Sequence, residues 1–394
     1  MRYDFGALTD RRNTNSLKWD VDENVLPMWV ADMDFKTAPE IIEAIQEKVC
    51  KGILGYTIVP DAWYNALSNW WERRHDFKID KEWLIFCTGV VPAISSAVRK
   101  MTSVGENVLV QTPVYNIFFN SIVNNGRNIV ENKLMYDGKQ YSIDFKDLEN
   151  KLADPETTMM ILCNPHNPIG KIWNKDTLER IGELCYKHHV LVLSDEIHCD
   201  LTDTQHDYIP FASVSEICAK NSITCIAPTK AFNIAGVQTA AVVVPDEVLR
   251  HKMNKALNTD EIAEPNAIAM EATVAAFTKG EEWLKELCFY IEENRKFAEK
   301  FIATELPELY LVPAHATYLL WVDCSGITQD TTCLCQLLLS ETGLYVSKGE
   351  AYGETGRGFI RINMACSRER LEDGLTRLKK GIKLFKKVCG NKRC

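Results

Sequence analysis

The chain has 394 residues, of which 46% are hydrophobic and 25% are charged, so it can build a large core and has a length typical of two or three domains. A net charge of −9 and a sequence pI of about 5.5 argue against nucleic acid or an anionic membrane as the main partner. The sequence has no signal-peptide-like apolar segment at its start and no apolar run long enough to span a membrane, which favours a soluble cytoplasmic protein.

The 14 cysteines are spaced irregularly. The closest pair, Cys333 and Cys335, forms a C-x-C rather than the C-x-x-C typical of metal sites. Most of the others lie inside apolar runs, where thiols behave as small buried hydrophobic groups. We therefore expect reduced thiols, without disulfides or structural zinc.

In the first 75 residues, helical patterns begin at Pro39 and at Pro60, because a proline near the start of an apolar-periodic run opens a helix. Between them, the Gly-flanked segment 52–57 interrupts the pattern and carries Tyr56. From residue 83 onward, apolar strand-like runs alternate with longer segments. The runs are 83–87, 108–111, 159–163, 190–193, 223–226 and 240–244, and helix-length patterns between them include 92–101, 117–125 and 176–189.

This alternation predicts a parallel sheet that is covered by helices on both faces. Ligands of such sheets bind beyond the carboxyl ends of the strands, so the residues that follow each run are candidate site residues. The first run is followed by the start of a helix, at Gly89-Val90-Val91-Pro92. The free N–H groups of the first turn of this helix can hold a phosphate. After the second run, Tyr115 can either stack on a planar ring or pack at the strand end.

The third run leads into Asn164-Pro165-His166-Asn167-Pro168-Ile169-Gly170, a rigid turn in which the Asn167 amide can donate to a phenolate oxygen. Asp195 lies just after the fourth run. Burying its carboxylate costs free energy unless a cation, such as a protonated pyridine nitrogen, lies beside it. The nearby His198 can be a ligand or a packed histidine. Asp195, His198 and Asp200 have a spacing that permits a metal site, but no second ligand cluster supports one.

Lys230 follows the fifth run and comes directly after Thr229. A lysine amine in a partly desolvated position has a lowered pKa and can form a Schiff base with an aldehyde, whereas an isolated surface lysine has no such role. Towards the C-terminus, helical patterns cover 281–303 and 368–387, with a strand-like run at 316–323 between them. Arg361 alternates with apolar neighbours on a predicted strand and can either clamp a substrate carboxylate or form a structural ion pair. No internal repeat or low-complexity tract is present.

Several of these segments resemble the motifs of the pyridoxal-phosphate (PLP) enzymes of the class I/II aminotransferase fold. They are most similar to the cystathionine β-lyase, or C–S β-lyase, branch. The matching segments are L-P-M-W-V-A-D-M-D-F at 26–35, G-Y-T at 55–57, N-P-H-N-P-I-G at 164–170, D-E-I-H at 195–198 and A-P-T-K-A-F-N-I-A-G at 227–236. The resemblance covers essentially the whole chain, and its motifs occur in the order of the family.

The resemblance implies the aspartate aminotransferase-like fold type I, an α/β architecture with a mainly parallel seven-stranded sheet covered by helices and a smaller α+β domain. The expected domains are an N-terminal arm with part of the small domain (1–45), a large PLP-binding domain (46–275) and a small C-terminal domain (276–394). It also implies a homodimer with shared active sites, in which Tyr56 reaches the cofactor phosphate of the neighbouring subunit.

By the same resemblance, each candidate residue acquires a role. Lys230, Asp195, Tyr56 and Tyr115 are expected to be catalytic. The cofactor is expected to bind Gly89, Val90, Val91, Tyr115, Asn167, Asp195, His198, Thr229, Lys230 and Tyr56. The substrate is expected to bind Arg361, Ala31 and Asn167. No metal is expected.

Some positions depart from the related transaminases. Gln238 replaces a phosphate-binding arginine and His198 replaces a tyrosine, and both changes are typical of the lyase branch. Ala227 replaces a phosphate-binding serine, which leaves more of that role to Thr229. His315-Ala316 replaces the first two residues of the family's E-G-T-Y.

The implied activity is α,β-elimination from cystathionine- or cysteine-type amino acids, which yields a thiol, pyruvate and ammonia. Two alternatives stay open. The first is an aminotransferase of the same fold. The second is a PLP-binding regulatory protein that acts through protein contacts. The preferred thiol, side activities and any assembly beyond a dimer are not readable from the sequence.

Overall fold

The computed structural model describes residues 2–390, with side chains up to residue 388. Within this range, no helix combines the length and the apolar character that a membrane crossing requires. The helices are α1 (Pro39–Cys50), α2 (Asp61–His75), α3 (Val90–Met101), α4 (Ile117–Val123), α5 (Phe145–Leu152), α6 (Lys175–Lys187), α7 (Glu216–Lys220), α8 (Glu247–Thr259), α9 (Ala267–Lys279), α10 (Glu281–Glu305), α11 (Thr331–Thr342) and α12 (Arg368–Gly390).

Strands alternate with these helices through most of the chain. They are β1 (Leu26–Pro27), β2 (Leu84–Cys87), β3 (Asn107–Thr112), β4 (Asn128–Lys133), β5 (Met135–Tyr136), β6 (Tyr141–Ser142), β7 (Thr157–Cys163), β8 (Leu191–Asp195), β9 (Ser222–Ile226), β10 (Ala240–Val243), β11 (Tyr310–Leu311), β12 (Leu319–Asp323), β13 (Leu344–Tyr345), β14 (Ser347–Lys348) and β15 (Phe359–Asn363).

The main sheet has seven strands in the order β2-β10-β9-β8-β7-β3-β4. Alternate residues of a strand face opposite clusters of the core, so Val108 and Val110 pack with α3 and α8 while Leu109 packs with α5 and α6. This burial of both faces is what the continuous apolar runs predicted. Strand β10 is antiparallel to both β2 and β9. The segment 227–239 contains no crossover helix, so β10 starts at the edge of the sheet where β9 ends.

A second, antiparallel sheet has the order β11-β12-β15-β14 and packs with the C-terminal helices. Strand β1 pairs with β13, which attaches the N-terminal arm to the C-terminal part of the chain. Arg361 lies at the centre of β15, opposite Trp321 of β12 and Ser347 of β14. The second sheet thereby brings this arginine to the edge at which the main strands end. The division into domains at 45/46 and 275/276 stays a prediction.

Candidate functional site

Two adjoining cavities lie beyond the carboxyl ends of the parallel strands. The inner cavity has a volume of about 270 Å³, and the outer one has a volume of about 550 Å³. Ten of the predicted site residues line the inner cavity: Ala31, Gly89, Val90, Val91, Tyr115, Asn167, Asp195, His198, Thr229 and Lys230. Arg361 lines the outer cavity, which shares Ala31, Tyr115 and Lys230 with the inner one. The structure therefore brings together every predicted site residue except Tyr56.

Lys230 projects between the two cavities from the turn that follows β9. Its Nζ donates a hydrogen bond of 2.6 Å to the carbonyl oxygen of Ala31. Burial lowers the pKa of Lys230 to about 8, and the charge of Arg361 adds to this effect, whereas Asp32 and Asp195 oppose it. A substantial fraction of the Lys230 amine is therefore neutral slightly above neutral pH, as a nucleophile or a base requires.

The lysine turn is tied to the N-terminal arm by Asn233. Its backbone has a φ of 55°, a left-handed conformation that asparagine tolerates. Its side chain accepts from the N–H of Met33 and donates to the carbonyl oxygens of Met33 and Phe35. These three bonds hold Ala31, the acceptor of the Lys230 amine, close to the turn.

Asp195 is buried at the end of β8, where its Oδ1 accepts the Ile197 N–H at 3.1 Å. Burial raises the pKa of Asp195 to about 6, which shows how strongly this position favours a cationic partner for an ionised carboxylate. Burial lowers the pKa of His198 to about 3, so its imidazole is neutral, and its Nδ1 has no partner among the described residues. His198 packs against the edge of the Tyr318 ring.

Asp195, His198 and Asp200 do not gather into one group of potential metal ligands within the described residues. Asp200 instead accepts hydrogen bonds from Trp70 and Arg74 and lies 3.1 Å from His75. Asp195 and His198 belong to none of the candidate metal-ligand groups within the described residues. Asp200 is therefore a structural residue behind the site.

The first turn of α3 borders the opposite end of the inner cavity. Gly89 precedes the helix without a side-chain cap, so the N–H groups of Val90 and Val91 have no acceptor within the helix. Together with the positive end of the helix dipole, they form a seat for an anionic group. Thr229 and Gln238 line the same cavity and add neutral polar groups. Lys230 and Asp195 are the only charged residues in its lining among the described residues.

Tyr115 and Asn167 line the middle of the inner cavity. Burial raises the pKa of Tyr115 to about 12, so its phenol is protonated. The Oδ1 of Asn167 accepts a hydrogen bond of 3.2 Å from Nη1 of Arg361. This contact leaves the Asn167 amide nitrogen free to donate to another group.

Arg361 carries a buried guanidinium without a counter-ion. Its Nη2 donates to the carbonyl oxygen of Trp29 at 2.8 Å, and its carbon lies 4.8 Å from the centre of the Tyr352 ring. Its Nε has no partner, and no acidic side chain forms an ion pair with it in the described part of the chain. The structural ion pair is therefore wrong for Arg361, whose charge is available to an anionic ligand.

These donors fit a phosphorylated pyridine aldehyde. The α3 turn can hold a phosphate, Tyr115 offers an aromatic face and Asn167 offers a donor amide. Asp195 can pair with a ring nitrogen, and Lys230 can react with an aldehyde. Nδ1 of His198 and Nε of Arg361 are buried and have no partner in the part of the chain that the structure describes, and a bound ligand commonly satisfies such polar atoms.

Two residues that were not among the predicted site residues also shape this site. The Tyr318 hydroxyl donates to the same Ala31 oxygen as Lys230, at 3.0 Å, and Tyr352 lies beneath Arg361. Tyr318 is the last residue of the segment that aligns with the family's E-G-T-Y, so this resemblance could have found it, whereas no sequence signal separates the buried Tyr352 from ordinary core aromatic residues. Tyr56, by contrast, lies in the 51–59 loop, is fully exposed and lines neither cavity.

Comparison with known proteins identifies relatives over nearly the whole length. The family model "Aminotransferase class I and II" matches residues 23–378. The chain is 43% identical to cystathionine beta-lyase PatB of Bacillus subtilis, over 95% of this chain and 98% of that protein. The cystalysin structure from Treponema denticola, which contains a pyridoxal 5'-phosphate cofactor, superposes with a TM-score of 0.94 at 33% identity and covers 97% of this chain and 99% of that chain.

A PLP-bound putative aminotransferase from Clostridium difficile is also similar, with a TM-score of 0.93 and 41% identity over 96% of this chain and all of that one. These matches confirm both the resemblance and the predicted fold class. The family match spans most of the chain. The chain therefore belongs to the aminotransferase class I and II family.

Proposed function

We propose that this protein is a PLP-dependent C–S β-lyase that cleaves cystathionine- or cysteine-type amino acids to a thiol, pyruvate and ammonia. One observation carries the proposal. A lysine with a lowered pKa, a buried carboxylate and a guanidinium without a counter-ion surround the same pair of cavities. The names of the Bacillus subtilis and Treponema denticola relatives support it.

The inner cavity is proposed to hold PLP. The first turn of α3 at Gly89, Val90 and Val91, together with Thr229, would hold the phosphate. The ring would lie against Tyr115, with Asn167 at its oxygen, Asp195 at its nitrogen and His198 beside it. When bound, PLP supplies an electron sink for negative charge at the substrate Cα.

The protein's own groups would bind the substrate and move its proton. Arg361 and Asn167 bind the α-carboxylate, because a guanidinium and an amide match its planar oxygens. The Ala31 carbonyl orients Nζ of Lys230, and the neutral amine removes the Cα proton. The Cβ–S bond then breaks, and the sulfur leaves as a thiolate. Water hydrolyses the unsaturated amino acid that is released, which gives pyruvate and ammonia. The outer cavity, with Trp29, Leu339 and Tyr345 in its lining, accommodates the sulfur-bearing part of the substrate.

An aminotransferase shares every step up to the removal of the Cα proton, and the name of the Clostridium difficile relative keeps this alternative open. Gln238 and His198, the two departures from transaminases noted above, line the inner cavity and favour the lyase. The cytoplasmic location stays a prediction.

Product analysis separates the two activities. The PLP-loaded protein is incubated with cystathionine, cysteine, cystine or alanine, and pyruvate, sulfide and amino-group transfer are measured together. We expect pyruvate from the sulfur amino acids without an added keto acid. Turnover that appears only when a keto acid is supplied would contradict the lyase and identify an aminotransferase.

A homodimer with shared sites is proposed from the loop at residues 51–59. Ile53, Leu54, Tyr56 and Ile58 are all exposed there, which is an unusual concentration of apolar side chains on a surface loop. A second copy of the chain would cover them and place its partner's Tyr56 at the phosphate.

Mixing two inactive variants tests this sharing. Tyr56→Ala and Lys230→Ala are each expected to be weakly active or inactive alone. After they are unfolded and refolded together, about a quarter of the wild-type activity should return, since half of the random dimers are mixed and each has one intact site. A mixture that is no more active than the average of the two variants would contradict shared sites.

The pKa of Lys230 predicts how coenzyme capture depends on pH. Only the neutral amine attacks an aldehyde, so capture by the coenzyme-free protein should quicken about tenfold per pH unit below pH 8 and level off above it. Stopped-flow absorbance measures this rate. In Arg361→Gln, the midpoint should move to higher pH, because the charge of Arg361 helps to lower the Lys230 pKa. A rate that does not change between pH 6 and 8 would contradict the assignment.

A further inference from the structure

Asp203, His206 and His315 form a compact cluster outside both cavities. Nδ1 of His206 lies 2.8 Å from Oδ1 and 3.1 Å from Oδ2 of Asp203. Nδ1 of His315 lies 3.0 Å from the same Oδ2. The two imidazoles stack with their centres 3.7 Å apart and their planes at 29°. Two ring nitrogens therefore converge on one carboxylate.

The backbone holds this arrangement in place. Asp203 and His206 belong to the loop after β8, and His315 belongs to the segment before β12. The N–H of Asp203 donates to the carbonyl of His315 at 2.9 Å, and the N–H of His315 donates to the carbonyl of Gly170 at 2.9 Å. Asp203 Oδ1 also accepts the Gln205 N–H at 3.0 Å. The three side chains thus come from two loops that are already fixed to each other.

The electrostatics favour a cation at the cluster. Within the described residues, no lysine or arginine pairs with the Asp203 carboxylate, whose oxygens accept only from the two imidazoles and the Gln205 N–H. A single cation that binds both Nδ1 atoms and the Asp203 carboxylate would satisfy all three groups at once.

We propose that Asp203, His206 and His315 bind one zinc ion, with water completing its coordination. One ligand atom from each residue lies within 4.8 Å of the other two. Two imidazoles and one carboxylate are ligands that zinc prefers, whereas magnesium and calcium need more oxygen ligands than this cluster supplies. The side chains of His206 and His315 are 42% and 43% exposed, so an ion and its water can enter from solvent.

The site would fasten two loops together beside the proposed active site. The N–H of Thr317 donates to the carbonyl of Leu201, and Tyr318 then reaches the Ala31 oxygen that orients Lys230. His315 stands where the resembling family has the glutamate of E-G-T-Y, so the nitrogen ligand is a feature of this chain. Zinc would stabilise the junction without taking part in the chemistry.

Metal analysis of the PLP-loaded protein tests the proposal. After treatment with a chelator and equilibrium dialysis against zinc chloride, we expect one zinc per chain and a melting temperature that rises with zinc concentration. Asp203→Asn and His315→Gln should bind zinc at least about tenfold more weakly. His251→Gln, at an exposed histidine of α8, should bind it as the wild type does. Unchanged zinc binding in His315→Gln would overturn the proposal.

Two further measurements test whether zinc binds through other ligands or is displaced by another metal. X-ray absorption at the zinc edge of the wild-type protein should show nitrogen and oxygen ligands, and it does not depend on whether the variants fold. Sulfur ligands in that spectrum, or loss of zinc binding in the double variant Cys50→Ser/Cys333→Ser, would show that zinc binds the exposed thiols instead and would overturn the proposal. Magnesium chloride at the same concentration should not displace zinc, and displacement would contradict a nitrogen-liganded site.

Discussion

Lys230→Ala is expected to abolish covalent attachment of PLP and nearly all pyruvate release. The variant lacks both the nucleophile that captures the aldehyde and the amine that removes the Cα proton. Loss of a positioned general base alone lowers the rate by about 10²- to 10⁴-fold. The variant should also lack the visible absorbance of the lysine-bound coenzyme, while its fold is unchanged because Nζ makes a single hydrogen bond, to Ala31.

Lys171→Ala is the matched control for this experiment. Burial lowers the pKa of Lys171 as it does that of Lys230, but Lys171 lies over the Trp173 ring and lines neither cavity. The control should keep both the absorbance and the activity. If Lys230→Ala kept the absorbance and turned over substrate at the wild-type rate, the proposed site would be wrong.

Much of this site could be predicted because its residues follow directly after strands. Asp195 ends β8, and Lys230 and Asn167 each lie four residues beyond the end of a strand, β9 and β7 respectively. Strands in a parallel sheet end at the same edge, so a local pattern in the sequence becomes a shared position in space. The six predicted apolar runs all lie in the main sheet, with bounds within two residues of the observed strands.

What the sequence did not predict depends on contacts between distant segments. Strand β4 is an edge strand with exposed and half-exposed polar residues, so it lacks the apolar run by which its neighbours were found. The antiparallel direction of β10 leaves no mark on its apolar pattern. The sequence pattern placed the start of helix α3 at Pro92, but the helix begins at Val90. Proline is tolerated anywhere in the first turn of a helix, because the N–H groups of that turn have no acceptor within the helix.

The contact between Asn233 and Met33 spans 200 positions of the chain. Nothing near either residue indicates that the lysine turn and the N-terminal arm would meet. The resemblance to the family assigned Ala31 to the substrate, and the structure shows how this residue is held at the site. The Ala31 carbonyl is the acceptor for both Lys230 and Tyr318, and Asn233 holds the arm in register with the turn. Family motifs thus located the residues, and the folded chain explains their geometry.

Asp195→Asn is expected to lower the rate of pyruvate release by about 10²- to 10⁴-fold while leaving covalent capture of PLP intact. Breaking a buried ion pair by removing one partner costs about 3–5 kcal/mol, and each 1.36 kcal/mol corresponds to a factor of ten. Asparagine has nearly the same shape but no charge, so it cannot keep a ring nitrogen protonated. The absorbance of the bound coenzyme and the rate with cystathionine measure the two effects separately.

Glu196→Gln provides the comparison, because Glu196 is the next residue and is equally buried. Its carboxylate accepts from Ser194, Tyr208 and the Phe211 N–H, and it does not line the inner cavity. This variant should lower the melting temperature but change the rate by no more than a few-fold. If Asp195→Asn and Glu196→Gln lost activity equally, burial of a carboxylate in this region, rather than its charge at the ring nitrogen, would be what the reaction requires. A loss of activity in Asp195→Asn alone would instead show that the coenzyme withdraws electrons effectively only when the carboxylate at the end of β8 is present.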